Sequence, residues 1–320
     1  MTAEVVLHLS TPDLTRYRGK QSAGLFALIH DRLRAQGARV RLVKRQNQQI
    51  DGSTLKSDRQ LHIVETGWCY GRGWLSAATA YFPGFWHLSE EGVLADSPAK
   101  YETFEADLIE RSQARPFAKA LRAQFSGQRV TRYHQERLER QVLPKGAIGV
   151  FLQGPAVYRR EQAFVPAPQM LRVVARHAGG RPVVVKAHPL SQDFGRAAIA
   201  KVRSEGFDLI ETEANVHDIL AACAVTVSVN SAVAFEGFLH RVPAILFGRS
   251  DFHSLTETVL DDSEYPQALS RALAREWDYS KMLYWYFDRH TLWTEAPDFD
   301  ARLLAVLAKA GFGAERLGLL

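Results

Sequence analysis

A chain of 320 residues, 46% hydrophobic and 23% charged, is long for one core and of ordinary size for two domains. Lys+Arg 40 against Asp+Glu 35 gives a formal charge of +5, which suits anionic ligands or a membrane surface without the basic tract of a nucleic-acid binder. No apolar run reaches the roughly 18 residues of a membrane-spanning helix, and Cys69 and Cys223 form no Cys-x-x-Cys pair, so neither a disulfide framework nor a thiolate zinc site is expected.

Residues 5–9, Val-Val-Leu-His-Leu, read as a first strand, and 22–36 as an amphipathic helix ended by Gly37. Residues 38–43 and 60–64 read as the next two strands, the latter closing on Glu65-Thr-Gly67. Gly71-Arg-Gly73 and Pro83-Gly84 punctuate a loop-rich region before Trp86-His-Leu-Ser-Glu-Glu-Gly-Val-Leu94. A long helical region, 101–142, then crosses towards the second half, with Pro116 and Gly127 expected to divide it. The pattern restarts with a strand at 147–152, a helix at 168–178, a strand at 182–186, a short strand at 207–211 and a helix at 215–222. Strand, polar pair, helix and strand then follow over 225–247, and helices at 265–287 and 299–309 complete the chain. Alternating strands and helices in two runs predict two doubly wound sheets with a cleft between them.

The 225–247 unit is the most informative stretch. Val225-Thr-Val-Ser-Val229 is a buried strand by its β-branched content, and Asn230-Ser231 can cap the helix that carries Glu236. A capped helix start offers N–H groups and partial positive charge to an anion. Asn230 and Ser231 therefore have two readings, as helix caps or as phosphate ligands. Glu236 could accept both hydroxyls of a ribose or simply pair with the helix dipole.

Lys186-Ala-His188-Pro189 ends an apolar strand, where open α/β sheets present their ligand loops. Alternation puts Lys186 and His188 on one side, so they form either a cationic pair for phosphate or carboxylate, or a surface lysine beside a structural histidine. No second histidine or carboxylate stands at ligand spacing, so no metal site is expected. Glu65, Glu90, Glu91 and Asp96 are the acids of the first half. Glu91 stands out because Gly92 permits a tight backbone path beside a ligand. The aromatic run 277–293 could pack between domains or dock on a membrane headgroup region.

Through Lys186-Ala-His188-Pro189, the stretch Val229 to Arg249, Phe151-Leu-Gln153 and, more weakly, Phe85 to Leu94, the chain resembles the capsule polysaccharide biosynthesis family that contains bacterial β-Kdo transferases. The resemblance spans roughly residues 60–255. It implies a GT-B-like pair of Rossmann-like domains facing a cleft, with 1–143 as the acceptor-side domain, 144–290 as the nucleotide-sugar-binding domain and 291–320 as a helical extension. It implies transfer of Kdo or a related acidic sugar from a CMP-activated donor to a surface glycan or glycolipid, in capsule or lipopolysaccharide assembly. Lys186, His188, Asn230, Ser231 and Glu236 would bind the donor, and Glu91 would be the catalytic acid of the first domain. Where catalytic relatives carry an aspartate shortly after the strand glutamine, this chain has Gln153-Gly-Pro-Ala156.

That departure keeps two further readings open, a noncatalytic sugar-nucleotide or glycan-binding module in polysaccharide assembly and a sugar-nucleotide epimerase or hydrolase. No cofactor is expected beyond the donor itself. Residues 1–9 are too short for a signal peptide core, so a cytoplasmic protein is expected, with peripheral contact at the inner membrane and with polysaccharide assembly proteins as partners.

Overall fold

The structure, a computed structural model, describes residues 2–10, 12, 15, 24–45, 59–65, 71–131 and 139–319. It separates into two compact α/β units. Unit 1 comprises Met1–Tyr101 and Tyr286–Leu320, and unit 2 comprises Glu102–Trp285. The division therefore falls at 101/102 rather than 143/144, and the last segment is not an appendage but part of unit 1.

Unit 1 is built on a six-stranded sheet. Its strands are β1 (Glu4–Leu9), β2 (Arg39–Lys44), β3 (Leu61–Glu65), β4 (Trp74–Thr79), β5 (Phe85–Ser89) and β12 (Leu292–Trp293), in the order β12-β5-β4-β3-β1-β2. The first four run parallel, whereas β5 is antiparallel to β4 and β12 antiparallel to β5. Alternation assigns Val5, Leu7 and Leu9 of β1 and Leu61 and Ile63 of β3 to one face. The helices Leu25–Ala35 and Phe299–Lys309 cover that face with Phe26, Ile29, Leu33, Phe299, Leu303 and Leu307. On the opposite face His62 stacks on Trp74 at 3.9 Å between ring centroids, and its Nδ1 meets His8 Nε2 at 2.9 Å. Sequence patterning does not reveal β4, because Trp-Leu-Ser-Ala-Ala-Thr buries both faces and so shows no period-2 alternation.

Unit 2 carries six parallel strands, β6 (Ala147–Phe151), β7 (Val183–Lys186), β8 (Ile210–Glu211), β9 (Cys223–Ser228), β10 (Ala244–Leu246) and β11 (Glu257–Thr258). Their order is β11-β10-β9-β6-β7-β8. Numbered within the unit this is 3-2-1-4-5-6, the doubly wound Rossmann order, whose topological switch point lies between its first and fourth strands. Here those strands are β6 and β9.

Helices cover both faces of this sheet. Ile148, Val150, Val183, Val185, Val225 and Val227 point into the layer formed by the helices Ala167–Arg176, Gln192–Ser204 and Tyr265–Ala274. Ala147, Phe151 and Val184 point the other way, onto the helix Val216–Ala222. The helix Gln192–Ser204 has no counterpart among the elements expected from the sequence pattern. Two expected long helices prove shorter. The 101–142 region holds the helix Arg111–Leu121 with Pro116 inside it and a wider-turned continuation over Arg122–Gly127, and residues 132–138 lie outside the described part. The expected helix at 265–287 is two, Tyr265–Ala274 and Tyr279–Arg289, broken at 275–278.

Candidate functional site

Loops after the carboxyl ends of parallel strands cannot pair with a neighbour, so their backbone and side-chain groups are left to bind each other or a ligand. In unit 2 this edge gathers Gln153 after β6, His188 after β7, Asn230 and Ser231 after β9, and Arg249 after β10. Most of these positions stand out in the sequence, and the 225–247 region folds as expected into strand, helix and strand.

Asn230 is the hub of the edge. Its backbone N–H donates to Gln153 Oε1 at 2.9 Å, and its Oδ1 accepts from Gln153 Nε2 at 2.8 Å. Its Nδ2 donates to the Arg249 carbonyl at 2.8 Å and reaches Gln162 Oε1 at 3.4 Å. Both amide protons and the carbonyl oxygen are thereby engaged within the protein. Asn230 ties the ends of β6, β9 and β10 together and does not cap the helix that follows. Ser231 Oγ accepts from Val233 N–H at 3.3 Å and its own N–H donates to Ser228 Oγ at 3.2 Å, in a turn just before the helix, whose N-cap position is Ala232. That helix, Val233–Leu239, has only seven residues, so its dipole is a smaller attraction for an anion than the sequence suggested.

Lys186 ends β7 and His188 lies in the loop beyond it, and the two differ in use. The Lys186 Nζ donates to the carbonyls of Glu213 at 3.1 Å and Ala214 at 2.7 Å. It holds the loop after β8 against the sheet, and an anion would have to compete with those carbonyls for its protons. His188 Nδ1 accepts from Leu190 N–H at 3.1 Å, which places the ring proton of the neutral form on Nε2 as a donor. His188 is half-buried and Pro189 exposed.

The two remaining expectations meet a different geometry. Glu236 lies in the first turn of its helix and is 4% exposed, a carboxylate inside the fold rather than on the rim of the edge. Glu91 is exposed and lies beyond the carboxyl end of β5. Because β5 is antiparallel, Ser89 pairs with Ser76 near the start of β4. Glu90 Oε1 accepts from Gly73 N–H at 2.9 Å, immediately before β4. Glu91 therefore sits at the amino-terminal edge of unit 1's parallel strands, opposite the edge where α/β sheets collect ligand loops. Gly92 does have a tight path, at φ 147°, but an added Cβ would come within 2.6 Å of the Asp96 carbonyl oxygen, so the glycine serves a turn of the chain itself. Among the described residues, an acid at the carboxyl edge of unit 1's central strands is Glu65, whose Oε2 accepts from Ser10 N–H at 2.8 Å.

At the far end of the helix Val233–Leu239 lies a buried polar cluster that no sequence motif marks. His217 Nδ1 and His240 Nε2 stand 2.9 Å apart, Ser126 Oγ is 3.1 Å from His240 Nε2, and His217 Nε2 reaches the Val130 carbonyl at 3.1 Å. Beside them Arg129 makes a two-pronged ion pair with Asp218, which also accepts from Gln141 N–H. Burial lowers the pKa of both rings, and His217 helps bring His240 down to about 4. Among the described residues no group of three or more His, Cys, Asp or Glu side chains is arranged to hold a metal ion, and no helix is long and apolar enough to cross a membrane.

No protein-family model matches the chain, and no curated protein matches it. Solved structures do. The KpsC β-Kdo 2,7 transferase structure from Thermosulfurimonas dismutans aligns over 97% of this chain and 99% of its own, at a TM-score of 0.56 and 12% identity. The β-Kdo 2,4 transferase structure of the same organism's KpsC covers 88% and 89%, at 0.48 and 12%. A UDP-GlcNAc 2-epimerase structure from Methanocaldococcus jannaschii covers 97% and 100%, at 0.38 and 9%. The first likeness is one of fold, and the chain is built of two Rossmann-like α/β units of the GT-B-like class.

Proposed function

We propose that the protein is a glycosyltransferase of bacterial surface-polysaccharide assembly that transfers Kdo or a related acidic sugar from a CMP-activated donor to a glycan or glycolipid hydroxyl. The observation that carries this reading is the pinned carboxyl edge of unit 2. Gln153, Asn230 and Ser231 lie there at the switch point of a Rossmann-ordered sheet, where nucleotides bind in doubly wound folds, and His188 follows the neighbouring strand β7 on the same edge. The fold-level likeness to a β-Kdo transferase and the family-like motifs at Lys186 to Pro189 and Val229 to Arg249 support the same choice.

In this reading the donor phosphate lies along the edge, with His188 Nε2–H as a donor to its oxygens and the Ser231 turn beside it. Gln153, Asn230 and Lys186 act as positioning residues, holding the loops in one arrangement before the donor arrives. Such preorganisation orients the reacting groups and limits hydrolysis of the donor. Transfer breaks the bond from the anomeric carbon to the CMP phosphate and forms one to the acceptor oxygen, whose proton must pass to a base. The acceptor is proposed to bind unit 1, with membrane contact limited to peripheral docking at the cytoplasmic face.

One observation favours a second reading, a sugar-nucleotide-binding module without turnover. The loop after β6, Gln153-Gly-Pro-Ala, has no carboxylate, and Gln153 itself is engaged by Asn230. Incubation with CMP-Kdo, with and without oligosaccharide or lipid acceptors, separates the readings through CMP release and product mass. Acceptor-dependent product supports transfer. Saturable binding without product supports the module, and CMP release or sugar rearrangement that ignores the acceptor supports an epimerase or hydrolase.

A further inference from the structure

Arg249 had no role in any of these expectations, and its setting in the fold assigns it one. It follows β10 through Phe247 and Gly248, and both of its backbone groups are bonded across the chain. Its N–H donates to the Gln162 carbonyl at 2.7 Å, and its carbonyl accepts from Asn230 Nδ2 at 2.8 Å. The strip is pinned further by the pairing of Ala163 with Gly248 and by Phe164 N–H, which donates to the Phe247 carbonyl at 2.8 Å. Gly248 has no room for a side chain, since a Cβ would lie 2.4 Å from Val229 Cγ1 and 2.5 Å from the Gln162 carbonyl oxygen. Ser250 and Asp251, which follow, are buried.

The contrast with the side chain is sharp. Arg249 is exposed, and among the described residues its guanidinium makes no hydrogen bond or ion pair. Elsewhere in unit 2 arginines are spent on the fold, as Arg172 is on Glu205, Arg196 on Glu213 and Arg129 on Asp218. A backbone fixed at three points that presents an unspent fork of N–H donors is a preorganised receptor for an oxyanion.

Its place on the sheet gives the ligand's dimensions. β7, β6, β9 and β10 are successive neighbours, so the loops bearing His188 and Arg249 begin about three strand spacings, roughly 14 Å, apart along one edge. The Gln153–Asn230 pair stands between them. We infer that Arg249 is a donor-binding residue that pairs with an oxyanion of a nucleotide-activated sugar, with the ligand lying across the switch point between the His188 loop and the Arg249 loop. The oxyanion is either a phosphate or a sugar carboxylate, and both match a guanidinium fork. This inference rests on the reading of unit 2 as the donor site, but not on the identity of the sugar.

Calorimetric titrations of wild type, Arg249→Ala and Arg249→Lys with CMP, UDP and CMP-Kdo test it, with circular dichroism and a thermal melt showing that the variants fold. Loss of a charge-assisted contact of this kind weakens binding by about 10-fold to 100-fold, and lysine should recover only part of it. If CMP, UDP and CMP-Kdo all weaken together in Arg249→Ala, the phosphate is the partner. If only CMP-Kdo weakens, the partner is the carboxylate. Wild-type affinity for CMP-Kdo in the folded alanine variant overturns the role of Arg249 while leaving the donor site standing. Arg249-dependent binding of UDP alone upholds the inference and refutes the CMP-sugar reading. Failure of the wild type to bind any of the three probes refutes both.

Discussion

Gln153 and Asn230 face each other across the switch point of unit 2 with complementary hydrogen-bonding edges, each supplying one donor and one acceptor to the other. The pair, 77 residues apart in sequence, joins the carboxyl ends of β6 and β9, strands adjacent in the sheet. Gln153→Glu is nearly isosteric, keeps the acceptor for Asn230 N–H and replaces the Nε2 donor with an oxygen facing Asn230 Oδ1. Facing oxygens and an unsatisfied polar group should cost about 1–3 kcal/mol in stability. Urea denaturation of the purified variant measures this, and unchanged stability would show that the pair is dispensable.

His188 and Lys186 should separate cleanly. His188→Ala should weaken binding of CMP-Kdo about tenfold or more, with little effect on stability, because its half-buried ring contributes one donor to the ligand. Lys186→Met should do the reverse. It strips the donor from the Glu213 and Ala214 carbonyls and should lower stability by about 1–3 kcal/mol, while the folded fraction loses less donor affinity than the His188 variant because Lys186 only positions a loop. Paired titrations and melts read both effects. Equal loss of affinity in the two variants would return Lys186 to the ligand-binding set.

Glu91→Gln should leave turnover near the wild-type value, since topology sets Glu91 at the amino-terminal edge of unit 1's parallel strands. Glu65→Gln, at the carboxyl edge, is the informative partner. Steady-state rates at saturating CMP-Kdo and acceptor decide between them. A hundredfold fall in the Glu91 variant, equivalent to about 2.7 kcal/mol of transition-state stabilisation, would restore its catalytic role.

The His217–His240 pair makes a pH prediction. Burial first, then His217, depresses the folded-state pKa of His240 to about 4, below its ordinary 6.5, and burial lowers His217 as well. The unfolded chain therefore binds more protons between those values. Stability is complete above about pH 6.5 and falls as the pH drops towards 4. Arg129 faces His217 and adds repulsion on its protonation. Asp218, held low by Arg129 against the effect of burial, loses its contribution only at still lower pH. Denaturant midpoints at pH 7 and pH 5 should differ in the wild type and converge in a His240→Asn variant that folds. Equal midpoints in the wild type would refute the assignment.

Much of unit 2 is legible in the amino-acid sequence. Apolar runs such as Val183 to Val185 and Val225 to Val229 announce buried parallel strands, and polar residues directly after them announce the ligand edge. The allocation of polar groups is not legible there. Asn230 looks the same in sequence whether it caps a helix or laces three loops together. Lys186 carries the same charge whether it awaits a phosphate or satisfies two carbonyls. The edge on which Glu91 lies is hidden for another reason, because an antiparallel strand reverses which edge a loop belongs to and strand direction leaves no mark in composition. His217 and His240 come together only through packing, and no spacing between them announces it.

The discontinuity of unit 1 has a consequence for biosynthesis. Unit 2 is one uninterrupted run, residues 102–285, whereas unit 1 needs β12 and the helix Phe299–Lys309 to complete its sheet and cover its core. As the ribosome works from one terminus to the other, the second unit is fully synthesised while the first still presents β5 as an open edge, with Phe85 and Trp86 waiting for Trp293 and Leu292. The nascent chain thus closes from the inside outward, and a premature stop near residue 290 would leave the unit that was begun first as the one never finished.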